Sequence, residues 1–202
     1  MEIGLDAAYS VKTPEDNKNL YAKWAATYES DFVANQGYNH PKVIAELFNK
    51  ELPEVKTVLD IGTGTGLVGL NLSKLRPDLV IDGIDISPEM LAEAKKKNIY
   101  RNLYERDLTR EVKGTDAPYD ALITIGTFTH GHLPPEALLN MFPLINEGGY
   151  FVIAVNEKHF HEHNFLQFLL AQKVNMIHMD KVHVYDEKSE HRDSMNVVMI
   201  FQ

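Results

Sequence analysis

The stretch Val58-Leu59-Asp60-Ile61-Gly62-Thr63-Gly64-Thr65-Gly66 reads as a short apolar strand, an acidic residue and three glycines at alternate positions. An amphipathic helical pattern follows at once, Leu67-Val68-Gly69-Leu70-Asn71-Leu72-Ser73-Lys74-Leu75. A glycine-rich turn between strand and helix lets a ligand lie against bare backbone, because glycine has no side chain to hold it off. The spacing bears on which ligand. The dinucleotide fingerprint G-x-G-x-x-G needs its third glycine where Leu67 stands; here it falls one residue early, at Gly66. Asp60 is a second departure, because a carboxylate there would face the pyrophosphate that such a loop cradles. A ligand carrying an ammonium group suits Asp60 better. No Gly-Lys-Ser/Thr follows, which excludes the phosphate loop of nucleotide hydrolases.

Outward from this turn, strand and helix patterns alternate, as in a parallel sheet with helices on both faces. Strands are expected at residues 55–60, 80–85, near Leu103, at 121–125 and at 150–155, with helices at 67–76, 88–98 and 134–145. Ser87 caps the second of these helices and Pro88 takes its first position. Gly148-Gly149 stops the third. Two helical patterns precede the turn, at 14–34 and 41–51; one more follows at 160–173, and two closing strands are expected at 176–185 and 195–201.

The bulk properties narrow the function. A chain of 202 residues, 44% of them hydrophobic, forms one soluble domain, with residues 1–52 as an N-terminal helical region. No apolar run approaches the ~20 residues of a membrane span, and Met1-Glu2-Ile3-Gly4-Leu5-Asp6 shows no basic-then-apolar secretory pattern. With no cysteine there is neither disulfide nor thiolate metal site, and a cytoplasmic location is expected. The formal net charge is −9, and the one basic cluster, Lys95-Lys96-Lys97, ends a predicted helix, where cations favour the dipole. No nucleic-acid partner is therefore expected; a small-molecule substrate is.

The pattern D-x-G-x-G-x-G after a strand resembles the cofactor loop of class I S-adenosylmethionine-dependent methyltransferases. The segment Asp85-Ile86-Ser87-Pro88-Glu89-Met90-Leu91 is similar to that family's second cofactor segment. The resemblance extends from about Tyr21 to Phe201. It implies a Rossmann-like α/β fold with a seven-stranded sheet, five parallel strands plus a closing antiparallel pair, and helices on both faces. The loop Thr124-Ile125-Gly126-Thr127-Phe128-Thr129-His130-Gly131-His132-Leu133-Pro134 and the compact closing hairpin resemble the Williams–Beuren-region methyltransferase-like group.

Under this resemblance Asp60, Gly62, Thr63, Gly64 and Gly66 hold the methionine end of S-adenosylmethionine. Asp85, about 20 residues past the turn, is placed to bond both ribose hydroxyls; its alternative is a capping aspartate beside Ser87. Ile86 and Met90 would wall the adenine, although alone either is more often plain core. Asp107 would receive the adenine amino group, with Leu108 supplying backbone, unless Glu105-Arg106-Asp107-Leu108 is simply a charged turn. Ligands of open parallel sheets lie at strand carboxyl ends, which brings in Ile125, Gly126 and Thr127. Tyr21-Ala22-Lys23-Trp24-Ala25-Ala26-Thr27-Tyr28 resembles the entry helix that folds over the cofactor as a lid, so Tyr21 and Tyr28 are pocket candidates beside the plainer reading of helix packing.

His130 and His132 are the candidate catalytic residues, because a histidine near neutral pKa can take the proton of an oxygen or nitrogen nucleophile. A polar loop before Pro134 is the alternative. Direct displacement at a sulfonium is promoted largely by aligning the two reactants, so a dedicated base is dispensable. The alternating His159, His161 and His163 lie among Glu157, Lys158 and Glu162, as on a solvated segment, and no metal is expected. The expected reaction is methyl transfer to an oxygen, nitrogen or sulfur atom of a small molecule, leaving S-adenosylhomocysteine. A protein methyltransferase, or a silent cofactor-binding partner without an open acceptor pocket, are the alternatives. A nicotinamide-dependent reductase is disfavoured by Asp60, Gly66 and Leu67. The acceptor is expected to meet residues 9–38, 128–135 and 157–173.

Overall fold

The computed structural model describes residues 11, 13–116, 118–129 and 132–202. Helix α1 (Pro14–Trp24) starts at a capping box in which Thr13 Oγ1 accepts from Asp16 N and Asp16 Oδ2 accepts from Thr13 N. Instead of one long helix, the pattern breaks after Trp24 and resumes as a π-helical segment, Tyr28–Ala34. Helix α2 (His40–Glu51) then leads to β1 (Thr57–Ile61), α3 (Leu67–Leu75), β2 (Val80–Asp85), α4 (Pro88–Lys96), β3 (Leu103–Glu105) and β4 (Tyr119–Phe128). Strand β5 (Ile145–Asn156), α5 (Glu157–Glu162), α6 (Phe165–Ala171), β6 (Met176–His183) and β7 (Met195–Phe201) complete it.

The strands form one seven-stranded sheet in the order β3-β2-β1-β4-β5-β7-β6. Strands β1 to β5 pair in parallel, and β7 inserts antiparallel between β5 and β6. Because β6 is antiparallel to β7 in turn, β7 alone runs against the rest. This is the expected seven-stranded arrangement. The order puts β1 and β4 side by side in the middle, where the chain reverses direction across the sheet. The crevice outside their carboxyl ends is where such sheets take ligands.

Two apolar cores lie on the two faces. Leu59, Ile61 and Leu122 pack on one face with Phe128, Phe151 and Phe165. Val58, Ala121 and Ile123 pack on the other with Phe48 and Leu72. Alternation along β1 and β4 assigns each residue its face. A third, aromatic cluster joins the N-terminal segment to the β6–β7 connection through Trp24, Phe32, Val184 and Tyr185. Tyr38 and Tyr185 also meet as an isolated antiparallel bridge.

Three expected helices differ. The pattern at 134–145 becomes two 3-10 segments, Pro135–Asn140 and Phe142–Leu144, because Pro143 within it has no N–H to donate. The pattern at 160–173 is interrupted at Asn164, whose φ of 51° is left-handed, and splits into α5 and α6. The N-terminal pattern divides as described. Among the described residues no helix is long and apolar enough to cross a membrane.

Candidate functional site

The turn after β1 is built on left-handed glycines, with φ of 69° at Gly62, 54° at Gly64 and 89° at Gly66. Side chains other than glycine are strained there. The turn is held from below: Gly62 N and Thr63 N both donate to Ile84 O at 2.9 Å. Thr63 Oγ1 lies 2.9 Å from Asp60 O and 3.2 Å from Ile84 O. A Cβ on Gly62 would stand 2.1 Å from Thr127 Oγ1, so the exits of β1 and β4 touch. A Cβ on Gly64 would meet nothing nearer than 4.0 Å and would project into open space.

That space is a cleft of about 230 Å³ across the carboxyl ends of β1, β2 and β4. Of the residues named from sequence, Gly62, Thr63, Gly64, Asp85, Ile86, Met90, Asp107 and Leu108 line one end. Ile125, Gly126, Thr127 and His132 line the middle, and Tyr21 and Tyr28 cover it from the N-terminal segment. His130 lies outside the described residues.

Asp85 Oδ2 accepts from Gly64 N at 2.7 Å, and its Oδ1 accepts from Ser87 N at 2.9 Å. Burial pushes this carboxyl above its ordinary value, while the backbone amides that bond it pull the other way. Each oxygen has acceptor capacity beyond the one amide. Met90 is anchored by its amide on the Ser87 hydroxyl at 3.2 Å. Asp107 Oδ1 accepts from both the amide and the hydroxyl of Thr109, at 2.9 and 2.6 Å, which fixes the carboxyl after β3.

Two of the residues expected at the cofactor stand outside the lining of the cleft. Asp60 does not face the cleft. Alternation turns it toward α3, the face opposite Leu59 and Ile61, where its Oδ2 accepts from the Tyr100 hydroxyl at 2.7 Å. It is buried, its Oδ1 has no hydrogen-bond partner among the described residues, and burial pushes its pKa up to about 7. Gly66 likewise stands outside the lining: a Cβ there would lie 3.0 Å from Tyr100 Cε2 and 3.2 Å from Ala94 Cβ. The third glycine lets α3 approach α4 and Tyr100 rather than a ligand approach the backbone.

His132 Nδ1 is 3.3 Å from Gly126 O. A carbonyl only accepts, so the neutral ring carries its proton on Nδ1 and a lone pair on Nε2. Burial lowers the pKa of His132 to about 4. In this arrangement it accepts hydrogen bonds at neutral pH but is a weak base. The ring meets Tyr21 edge-on at 5.9 Å.

In the second half of the cleft the expected segments 9–38 and 128–135 contribute lining residues, and the β6–β7 connection adds residues that the sequence does not announce. Trp24, Phe32, Tyr38, Val184 and Tyr185 wall it, with Asn156, Ser194 and Asn196 as polar members. The spacing of Tyr21, Trp24, Tyr28 and Phe32 signals a shared helical face; nothing local announces that the β6–β7 connection closes over it. The expected acceptor segment 157–173 supplies none of the lining. Its His159 turns inward, with Nε2 2.9 Å from Leu133 O, and meets His163 at a tilt with ring centroids 4.1 Å apart. Among the described residues no group of three or more His, Asp or Glu is placed to hold a metal.

The cleft fits an adenosyl amino acid on its own chemistry. Gly64 leaves a cradle that any Cβ would fill, and Asp85 offers a carboxylate edge to a vicinal diol. Ile86, Met90 and Leu108 give apolar walls for a flat base. The fit lacks the expected acidic partner for an ammonium group, since Asp60 lies behind the turn.

Comparison with known proteins agrees with the fold. Residues 32–192 match the model of a methyltransferase domain. Over 55 residues the chain is 46% identical to release factor glutamine methyltransferase of Bacteroides thetaiotaomicron, covering 27% of this chain and 20% of that protein. Over 116 residues it is 32% identical to carboxy-S-adenosyl-L-methionine synthase of Campylobacter curvus, covering 56% of this chain and 50% of that one. The chain thus spans half or less of these curated relatives. Burkholderia thailandensis 1,6-didemethyltoxoflavin-N1-methyltransferase, solved with 1,6-didemethyltoxoflavin and S-adenosylhomocysteine, superposes with a TM-score of 0.68 at 16% identity, over 95% of this chain and 90% of that one. A family match over more than half of the chain, on a sheet of this order and with a glycine turn at its centre, places the protein in the methyltransferase-domain family.

Proposed function

We propose that this protein is an S-adenosylmethionine-dependent methyltransferase acting on an oxygen, nitrogen or sulfur atom of a small molecule. The observation that carries the reading is the pairing of Asp85 with Gly64 N beside the open space over Gly64. A rigid carboxylate edge and a bare backbone then face the same cleft. The cofactor would supply an electrophilic methyl group on a cationic sulfonium. Asp85 would hold the ribose hydroxyls, Met90, Ile86 and Leu108 the adenine faces, Asp107 the exocyclic amine, and the turn 62–64 the amino-acid end. His132 Nε2 would accept the hydrogen bond of the acceptor's O–H or N–H and so turn a heteroatom lone pair toward the cofactor side. Alignment of the two reactants, more than proton removal, is the expected source of rate.

Two features favour an enzyme over a silent binding partner. The cleft continues past the turn into the aromatic half, and a polar ring stands between the halves. Coverage of the cleft by the N-terminal segment favours a small acceptor over a folded protein surface, although several relatives are named for protein substrates, release factor and ribosomal protein L11. The loop 124–134 and the short closing hairpin support the Williams–Beuren-like subgroup, and the lack of cysteine suits a reducing compartment such as the cytosol.

Parallel calorimetric titrations with S-adenosylmethionine, S-adenosylhomocysteine and NADH test the reading. Micromolar binding of the adenosyl ligands without NADH supports it. No adenosyl binding overturns it.

A further inference from the structure

The far half of the cleft has a composition of its own. Among the described residues that line the cleft there is no lysine or arginine, and the two carboxylates, Asp85 and Asp107, stand at the opposite end. An anionic acceptor would lose its hydration without a counter-charge. A cationic acceptor would share one low-dielectric cleft with a sulfonium, and like charges repel strongly there. The wall is instead aromatic. Trp24 lies edge-on to Tyr28 at 5.1 Å and to Phe32 at 5.5 Å; Phe32 meets Tyr38 at 5.2 Å and Tyr185 at 6.2 Å. Trp24, Phe32 and Tyr185 are buried in this cluster and hold it rigid, while the half-buried rings of Tyr21, Tyr28 and Tyr38 present apolar area to the cleft with little entropy to lose on binding.

Two polar atoms in this wall lack partners. Trp24 Nε1 and His132 Nε2 are shielded from solvent and have no hydrogen-bond partner among the described residues. The indole N–H only donates. The imidazole Nε2 accepts, because Gly126 O holds the ring proton on Nδ1. An unmet donor and an unmet acceptor flank the Tyr21 ring, whose centroid is 6.1 Å from Trp24 and 5.9 Å from His132. Both atoms lie beneath the cleft surface, so a ligand reaches them only when the Tyr21 ring packed against both side chains moves; buried polar groups left unmet are costly, and a ligand that satisfies both recovers that cost.

From this arrangement we propose that the methyl acceptor is an uncharged planar ring compound bearing a hydroxyl or ring N–H for His132 and a carbonyl or ring nitrogen for Trp24. The proposal rests on the methyltransferase reading for its account of charge and deepens it by naming the substrate class. Charge selection belongs to the uncharged character of the described lining in this half, ring shape to the aromatic wall, and orientation to the two unmet atoms.

Trp24 is the chain's only tryptophan, so its fluorescence reports on this half of the cleft directly. The full chain is titrated with three uncharged planar probes, umbelliferone, lumichrome and theophylline, at a pH that keeps each neutral. Carboxylated umbelliferone and phenyltrimethylammonium serve as charged counterparts. Each titration is run with and without saturating S-adenosylhomocysteine, whose own binding is followed by calorimetry. The expected result is that at least one neutral ring quenches Trp24 about tenfold more tightly than either charged probe. His132→Leu should weaken that binding and His132→Gln, which keeps an acceptor oxygen, should retain more of it, with S-adenosylhomocysteine affinity unchanged in both. Equal or tighter binding of a charged probe overturns the proposal, as does the absence of any response to the three rings. Failure of S-adenosylhomocysteine to bind is a separate readout: it sinks the cofactor reading, while the ranking of ring probes still decides the acceptor class.

Discussion

Asp85 Oδ2 accepts the Gly64 amide at 2.7 Å, so the carboxylate that ends β2 and the middle glycine of the turn move as one unit. Removing the carboxylate strips the cleft of its polar edge and frees the turn. Asp85→Ala is expected to weaken S-adenosylhomocysteine binding by ~1–3 kcal/mol, the scale of an unmet buried hydroxyl pair. The fold should persist, because strand pairing and the Ser87 cap on Met90 N do not depend on Asp85. Calorimetry with a parallel thermal melt checks both; unchanged affinity would mean that the ribose lies elsewhere.

Behind the same turn, Tyr100 and Asp60 form a second unit that never meets the cleft. The tyrosine fits only because position 69 has no side chain: a Cβ on Gly69 would lie 2.4 Å from the Tyr100 hydroxyl oxygen. Gly69→Ala should therefore cost ~1–3 kcal/mol through overpacking, despite the better helix propensity of alanine. Tyr100→Phe removes the bond that favours ionised Asp60 and raises a carboxyl that already titrates near 7. A carboxyl with a raised folded pKa supports folding below its unfolded value and loses that support as pH rises through the folded one. The penalty of Tyr100→Phe should accordingly be larger at pH 8 than at pH 5, and urea unfolding at the two pH values measures it. A penalty independent of pH would show that Asp60 is not ionising in this range.

The alternation of strands and helices was legible because it rests on local pattern: apolar runs, a glycine turn, a Ser-Pro cap; the seven-stranded sheet and the expected cofactor residues came instead from the resemblance to the methyltransferase family. Asp60 lies off the cleft lining for a reason equally local in its physics. One residue of register along β1 decides between the cleft and the α3 face, and the motif alone carries no sign of which. Pro143 did signal its effect, since a proline inside a helical pattern argues against a continuous helix. The N-terminal half of the aromatic wall lies in the expected segment 9–38; its closure by Val184 and Tyr185 was not legible, because it joins residues 24–38 to the β6–β7 connection across more than a hundred positions, through contacts that no local period encodes.

His40 gives the protein an acid-sensitive point away from the turn. It is fully buried, Asn196 Nδ2 donates to its Nε2 at 2.9 Å, and burial lowers its pKa to about 4. A histidine with a depressed folded pKa contributes fully above its unfolded value of ~6.5 and loses that contribution as pH falls toward the folded value. Between those two values the unfolded chain binds more protons, so stability should drop by ~3 kcal/mol. Asp60, with a raised pKa, slopes the opposite way, so the informative quantity is the difference between variants. His40→Gln should flatten the acid limb of the stability curve relative to the parent chain, even if the midpoint at neutral pH is lower. Parallel limbs in the two proteins would show that His40 is protonated at little cost.

The cover over the cleft is tied down by charge as well as by aromatic packing. Lys97, just past α4, pairs with Glu29 in the π-helical segment at 2.6 Å, and Lys18 on α1 pairs with Glu105 at the end of β3 at 2.6 Å. Both ties run from the N-terminal segment to the β2–β3 side, where the cofactor end of the cleft lies. Lys97 is the more shielded of the two lysines, with a side chain 16% exposed, so its pair is the one salt screens less. Lys97→Glu places two like charges at the rim and should loosen the cover by about 1 kcal/mol at most, since an exposed partner limits such pairs. The effect is expected in departure rather than arrival: S-adenosylhomocysteine should leave up to ~5-fold faster at low salt, with little difference from the parent chain at high salt. Adding Glu29→Lys should restore slow release by rebuilding the pair with its charges exchanged. Stopped-flow displacement across a salt series, read from Trp24, measures all three proteins; release rates that coincide at low salt would mean that the aromatic cluster alone holds the cover in place.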